Sequence, residues 1–173
     1  MERWRCIVGT LLTAWMAIPA AAAAQSQAIT PGVSFRFGIE RSAGQGGGAT
    51  ALTPLMVDAS VRMWTDEATR IAWGGSLIAE LNSGGAIGIA PRIELRHGLG
   101  DLELRPGAAL PFFVAPMTML GPELSAGVRL PLSHGFGLLG GLAVTMFLVG
   151  NNVPEDATLL QLTGSLGIDL ALE

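Results

Sequence analysis

Lysine and tyrosine are absent from this chain, cysteine occurs once and histidine twice. Each shortage excludes something. Ten arginines, no lysine and fourteen acids leave no basic patch for nucleic acid. The one cysteine, Cys6, lies in a segment that reads as removable, so the rest of the chain has neither disulfides nor thiol chemistry. His97 and His134 stand near turns without cysteine beside them, which does not make a clustered His/Cys metal site. Gly46–Gly48 is followed by no Lys-Ser/Thr and no helical pattern, so it is not a phosphate loop. No cofactor is implied. Half of the residues are hydrophobic, yet past the N-terminus no apolar run approaches the ~20 residues of a membrane helix.

What is present begins with that N-terminus. Arg3 and Arg5 form a basic lead, Cys6–Pro19 is mostly apolar, and Ala20–Ala24 supplies small residues for cleavage. This is the pattern of a secretory signal peptide, residues 1–24, preceding one exported domain, residues 25–173. The exported part carries eight arginines against thirteen acids.

The most informative stretch is Ala86–Val114. Ile87, Ile89, Pro91, Ile93 and Leu95 alternate with Gly88, Ala90, Arg92, Glu94 and Arg96. After GLGD the phase resumes, with Leu102, Leu104, Ala108, Leu110, Phe112 and Val114 against Glu103, Arg105, Gly107 and Ala109. Period two on both sides of a glycine-rich turn predicts a β-hairpin with one apolar and one charged face. If Gly98–Asp101 closes it, Arg96 faces Glu103 and Glu94 faces Arg105.

The same alternation predicts strands at Val33–Glu40, Leu55–Trp64, Arg70–Leu81, Glu123–Leu132, Phe136–Val149 and Leu159–Leu172. With the hairpin this makes eight strands and no helix. Gln25–Gly32 reads as a polar lead-in, and Arg41–Thr53 as a flexible loop. The connections after strands two, four and six are short and those after one, five and seven are longer; only the third, Asn82–Gly85, breaks the pattern. Alternating short turns and long loops with an even strand count is how outer-membrane barrels are built.

Charge position decides which face is inside. Arg36, Glu40, Asp58, Arg62, Glu80, Arg92, Glu94, Arg96, Glu103, Arg105, Glu123, Arg129 and Asp169 all fall on the polar phase. That phase is otherwise rich in Gly, Ala and Ser, while the other carries Ile, Leu, Phe, Trp and Met. Small residues belong in the narrow interior of an eight-stranded barrel, and large apolar ones fit lipid. Six arginines against seven acids also suits a closed internal network, because buried charges must be paired. Pro91, Pro106 and Pro111 sit within strands, which implies bulges or rim positions. Phe35, Phe37, Trp64, Trp73, Phe112 and Phe136 are the candidates for thin aromatic girdles.

On this pattern the chain resembles the small eight-stranded outer-membrane barrels of the OmpA/OmpX type. The resemblance implies an all-β, antiparallel, up-and-down transmembrane barrel, inserted as a monomer in the outer membrane of a Gram-negative bacterium. It implies outer-membrane lipid and the barrel assembly machinery as partners. Members end in a polar residue, a glycine two on, and hydrophobics at alternate positions. Ser165, Gly167, Leu170 and Leu172 match that assembly signal, although the family usually ends on an aromatic where this chain has Leu172 and then Glu173. The expected role is structural or surface-interacting, with the loops Arg41–Thr53, Ala115–Gly121 and Gly150–Ala157 facing outward. Two other readings remain open. One is a soluble periplasmic lipocalin-like carrier with the charges outside. The other is a lipid-modifying outer-membrane enzyme, which would need His, Ser and an acid together at one rim. No such pattern flanks His97 or His134.

Overall fold

The computed structural model describes residues 28–43, 48–65, 70–82, 84–151, 153 and 158–172. The predicted export segment, the centre of the Arg41–Thr53 loop, most of the turn before Arg70 and much of Gly150–Ala157 lie outside the described residues.

Thirteen strand segments line up as eight staves. The first is β1 (Ile29–Ala43), the second β2 (Thr50–Leu52) with β3 (Met56–Trp64), and the third β4 (Ile71–Glu80). The fourth joins β5 (Ile87–Leu95) to β6 (His97–Leu99), and the fifth joins β7 (Leu102–Ala109) to β8 (Phe112–Ala115). The sixth is β9 (Met119–Leu120) with β10 (Glu123–Pro131). The seventh is β11 (Phe136–Phe147) with β12 (Val149–Gly150), and the eighth is β13 (Thr158–Leu170). Each stave pairs antiparallel with the next. β13 then pairs back onto β1 over twelve residue pairs, from Gly32↔Asp169 to Ala43↔Thr158, and closes the barrel. Closure joins the first stave to the last, as a strand protein in lipid requires.

The alternation of the sequence becomes an inside and an outside. Val33, Phe35, Phe37 and Ile39 are exposed on β1, while Arg36 between them is buried. On β5 Ile93 is 51% exposed and Glu94 only 6%. The large apolar side chains thus form the outer belt, and the barrel is packed inside-out relative to a water-soluble one.

The start of the first described strand, the end of the last and the turns Gly100–Asp101 and Ser133–Gly135 share one rim. Ile29 bridges Leu172 there, and the Ala171 N–H donates to the Gly135 carbonyl of the 3-10 turn Ser133–Gly135 at 2.9 Å. The longer connections share the other rim.

Several boundaries differ from the sequence reading. β1 starts at Ile29, so the lead-in Gln25–Gly32 is partly strand. The loop Arg41–Thr53 is not all loop, because Thr50–Leu52 folds back on Ile39–Arg41. Met119–Leu120 likewise extends a stave into Ala115–Gly121. The central hairpin closes two residues later than expected. Leu99 faces Leu102 and Gly98 faces Glu103, so Arg96 is not opposite Glu103, and Glu94 faces Gly107 rather than Arg105. The turn holds only Gly100 and Asp101, with Gly100 at φ +62, the position where a two-residue type II′ turn needs glycine. A slip of two preserves side-chain parity, so both faces survive the correction. Of the three prolines, Pro111 lies at the break between β7 and β8, but Pro91 and Pro106 lie within strands and not at bulges or rims. The register shift falls instead at Ile87/Gly88.

Candidate functional site

Strand parity delivers the polar-phase charges to the lumen, and there they sort into two clusters. Near the short-turn rim, β7, β10 and β13 each supply inward charge. Arg105 Nη1 lies 2.8 Å from Asp169 Oδ2 and Nη2 lies 2.9 Å from Glu103 Oε2. Arg129 Nε lies 2.7 Å from Asp169 Oδ1 and Nη1 lies 3.4 Å from Glu103 Oε1. Two arginines and two carboxylates thus form a closed ring of alternating charge. Arg129 Nη2 also donates to the Gly135 carbonyl at 2.8 Å, tying the ring to the rim turn. Gly137 makes the room, since a Cβ there would lie 2.6 Å from Asp169 Oδ1 and against the Arg129 guanidinium.

The second cluster lies across mid-barrel and is an open chain. Glu123 pairs with Arg36, which reaches Asp58 at 3.5 Å. Asp58 also takes Arg92 at 3.0 Å; Arg92 meets Glu94 at 3.4 Å, and Glu94 takes Arg62 at 2.7 Å. Thr145 donates to Glu123, Arg36 to Thr163, Arg62 to Ser60 and Arg92 to Ser76. Three arginines therefore balance three carboxylates. Each cluster is neutral as a unit, which is the condition for holding this much charge out of water. A cavity of about 70 Å³ lies between hydroxyl and glycine positions of β1, β10, β11 and β13 and these side chains. At roughly 10–15 Å³ for each it has room for several water molecules. Asp58 Oδ1 and Arg92 Nε, on two of its lining residues, are buried without a protein partner.

Of the thirteen charges expected in the lumen, ten belong to these clusters. The other three stand apart. Glu40 accepts from Gln161 at 3.1 Å. Glu80 accepts from the backbone N–H groups of Gly84 and Ala86, holding the turn at the far rim. Arg96 lies over the Trp64 ring, 4.7 Å from its centroid.

Two inward features escaped the sequence reading. Trp64 is no girdle residue. It is 4% exposed, donates from Nε1 to Thr30 Oγ1 at 3.1 Å, and stacks against both Arg96 and Arg105. Its parity with Arg62 carried that signal. Secondly, the lumen is not polar throughout. Met56, Ile78, Phe113, Met119, Phe147 and Leu159 pack into an apolar plug beneath the longer loops, with Phe113 edge-on to Phe147 at 5.8 Å. The inward phase of Ile78 and Phe147 was legible; that apolar residues would segregate to one end was not.

His97 and His134 are both exposed at the short-turn rim, and no group of three His, Cys, Asp or Glu suited to a metal occurs among the described residues. Ser165 and Gly167 face inward on β13; Leu172 faces outward beyond its end.

No family model matches the chain, and no curated protein matches it. Solved structures do. The crystal structure of Neisserial surface protein A matches with a TM-score of 0.58 at 13% identity, covering 84% of this chain and 99% of that one. The N-terminal β-barrel domain of Pseudomonas aeruginosa OprF matches with a TM-score of 0.55 at 11% identity, covering 82% of this chain and 97% of that one. The chain has the fold of the small eight-stranded outer-membrane barrels.

Proposed function

We propose that this protein is an integral outer-membrane barrel whose work is done at its surface and by its presence in the bilayer, with a lumen sealed rather than conducting. The supporting observation is the inverted packing: isoleucine, leucine and phenylalanine outward, and neutral arginine–carboxylate clusters inward. A soluble carrier with an apolar bore and charged shell would need the opposite arrangement. The longer connections then face the cell exterior. Ser165, Gly167, Leu170 and Leu172 serve as the signal read by the assembly machinery, and the protein functions as a monomer.

The experiment is export of the full chain followed by membrane fractionation and electrophoresis of boiled and unboiled samples. The reading expects the protein in the outer-membrane fraction, released only by detergent, with faster mobility before boiling. Recovery in the aqueous periplasmic fraction would overturn it. Planar bilayers containing the folded protein should show no steady conductance.

A further inference from the structure

The barrel wall is not uniformly bonded. It divides at mid-chain into a first half, β1 to β6, and a second half, β7 to β13. Two seams join them: β13 to β1, and the fourth stave to the fifth. The first runs unbroken for twelve residue pairs. The second holds nine pairs broken into three segments of three, β6 with β7, β5 with β7 and β5 with β8, the middle one being Arg92↔Ala109, Ile93↔Ala108 and Glu94↔Gly107.

Proline explains the difference. In an antiparallel pair, opposite residues that exchange both hydrogen bonds alternate with pairs that exchange none. Leu110 donates to the Pro91 carbonyl at 3.0 Å, which fixes Pro91–Leu110, Ile93–Ala108 and Leu95–Pro106 as the bonding pairs. Pro91 has no N–H for the Leu110 carbonyl, and Pro106 has none for the Leu95 carbonyl. Two of the three bonding pairs of this middle stretch are thus cut to at most one bond, both on this seam. Above them the register shifts at Ile87/Gly88. The side chains do not compensate. Among the described residues no ion pair runs directly between the fourth and fifth staves. Outside, over the same stretch, an open apolar depression lies among Trp73, Pro91, Ile93, Ala108 and Leu110. Arg92 borders both that depression and the inner cavity.

We propose that the seam between β5 and β7 is a built-in lateral opening of the barrel. It parts as a unit while the β1–β13 seam stays shut, and it joins the inner cavity to the outer face. The Gly100–Asp101 hairpin limits the opening at the short-turn rim. This inference rests on strand register and proline chemistry, so it stands independently of where the protein resides.

Amide hydrogen exchange of the folded full chain in detergent micelles tests it. The amides of Ile93, Leu95, Ala108 and Leu110 should exchange at least about tenfold faster than those of Val33, Phe35, Leu166 and Ile168 on the other seam. All eight residues face outward, so solvent access is matched. The four seam amides should also share one dependence on denaturant, as a unit that opens together does. Protection equal to that of β1–β13 would overturn the proposal. So would fast exchange confined to Leu95 and Leu110 with Ile93 and Ala108 protected, which is local fraying. In Pro91→Ala with Pro106→Ala both donors return, and protection of the seam should rise about tenfold. An unchanged rate in the folded variant would remove the cause assigned here. The comparison within the unmodified chain decides the matter even if that variant does not fold.

Discussion

Single residues carry the inside-out packing, and two pairs of positions test it most directly. Gly137 and Gly140 are three apart on β11 and point to opposite faces. A methyl at 137 meets the Asp169 carboxylate and Arg129 inside a buried ring, whereas a methyl at 140 meets only Leu166 Cδ2 at 3.8 Å. Gly137→Ala should therefore destabilise the barrel by about 1–3 kcal/mol, because the overpacked groups are pinned by ion pairs. Gly140→Ala should stay within about 0.5 kcal/mol, as surface substitutions usually do. Urea unfolding from lipid vesicles, read by gel mobility, measures both. The tryptophans test orientation. Two of the four, Trp4 and Trp15, lie in the predicted export segment, which leaves Trp64 and Trp73. Trp73 is exposed on the outer face, while Trp64 sits in the lumen under two guanidinium groups. Brominated acyl chains should quench the fluorescence of Trp64→Phe strongly and that of Trp73→Phe hardly at all. Equal quenching of the two would show that Trp64 reaches lipid.

At the scale of strands, parity was the legible quantity and height was not. Period two states which face a residue takes: Glu94, Arg105 and Arg129 are buried, while Ile93 is exposed. It says nothing of shear. Residues that meet across the lumen come from strands far apart in the chain, so Arg105 finds Asp169 and not Glu94. The turn was ambiguous for a local reason: Gly98 and Gly100 both suit a tight turn, and either choice keeps the charges on one face. Trp64 was misread because an aromatic near a strand end fits a girdle by position even when its phase points inward. The outer face of β11 supplies the prediction of this scale. Leu142 is 64% exposed at mid-strand, opposite Ala126 and Gly164 on the flanking staves. Leu142→Arg should cost about 2–4 kcal/mol in a bilayer, the range for arginine near the midplane of a barrel wall. The same change should cost little in a water-soluble fold, so a loss below about 0.5 kcal/mol would place this face outside the hydrocarbon.

At the scale of the whole barrel, the ten charges of the two clusters divide by half-barrel. Arg36, Arg62 and Arg92 with Asp58 and Glu94 leave the first half one positive charge in excess; Arg105 and Arg129 with Glu103, Glu123 and Asp169 leave the second half one negative charge in excess. Among the described residues, Arg36–Glu123 is the one ion pair that spans the two halves, and it cancels both excesses. Its partners are 87 residues apart in sequence, so nothing local could announce it. The arithmetic makes a non-additive prediction. Arg36→Met strands Glu123 in a half already negative, and Glu123→Gln strands Arg36 in a half already positive. Each should cost about 3–5 kcal/mol, the usual loss when one partner of a buried pair is removed. The double variant leaves Arg62 and Arg92 with Asp58 and Glu94, and Arg105 and Arg129 with Glu103 and Asp169, so each half is neutral by itself. It should be at least as stable as either single variant, which means a coupling of at least about 3 kcal/mol in a double-mutant cycle. Losses that simply add would mean that the two halves are balanced by other groups, and that this pair is one contact among many rather than the tie across the lumen.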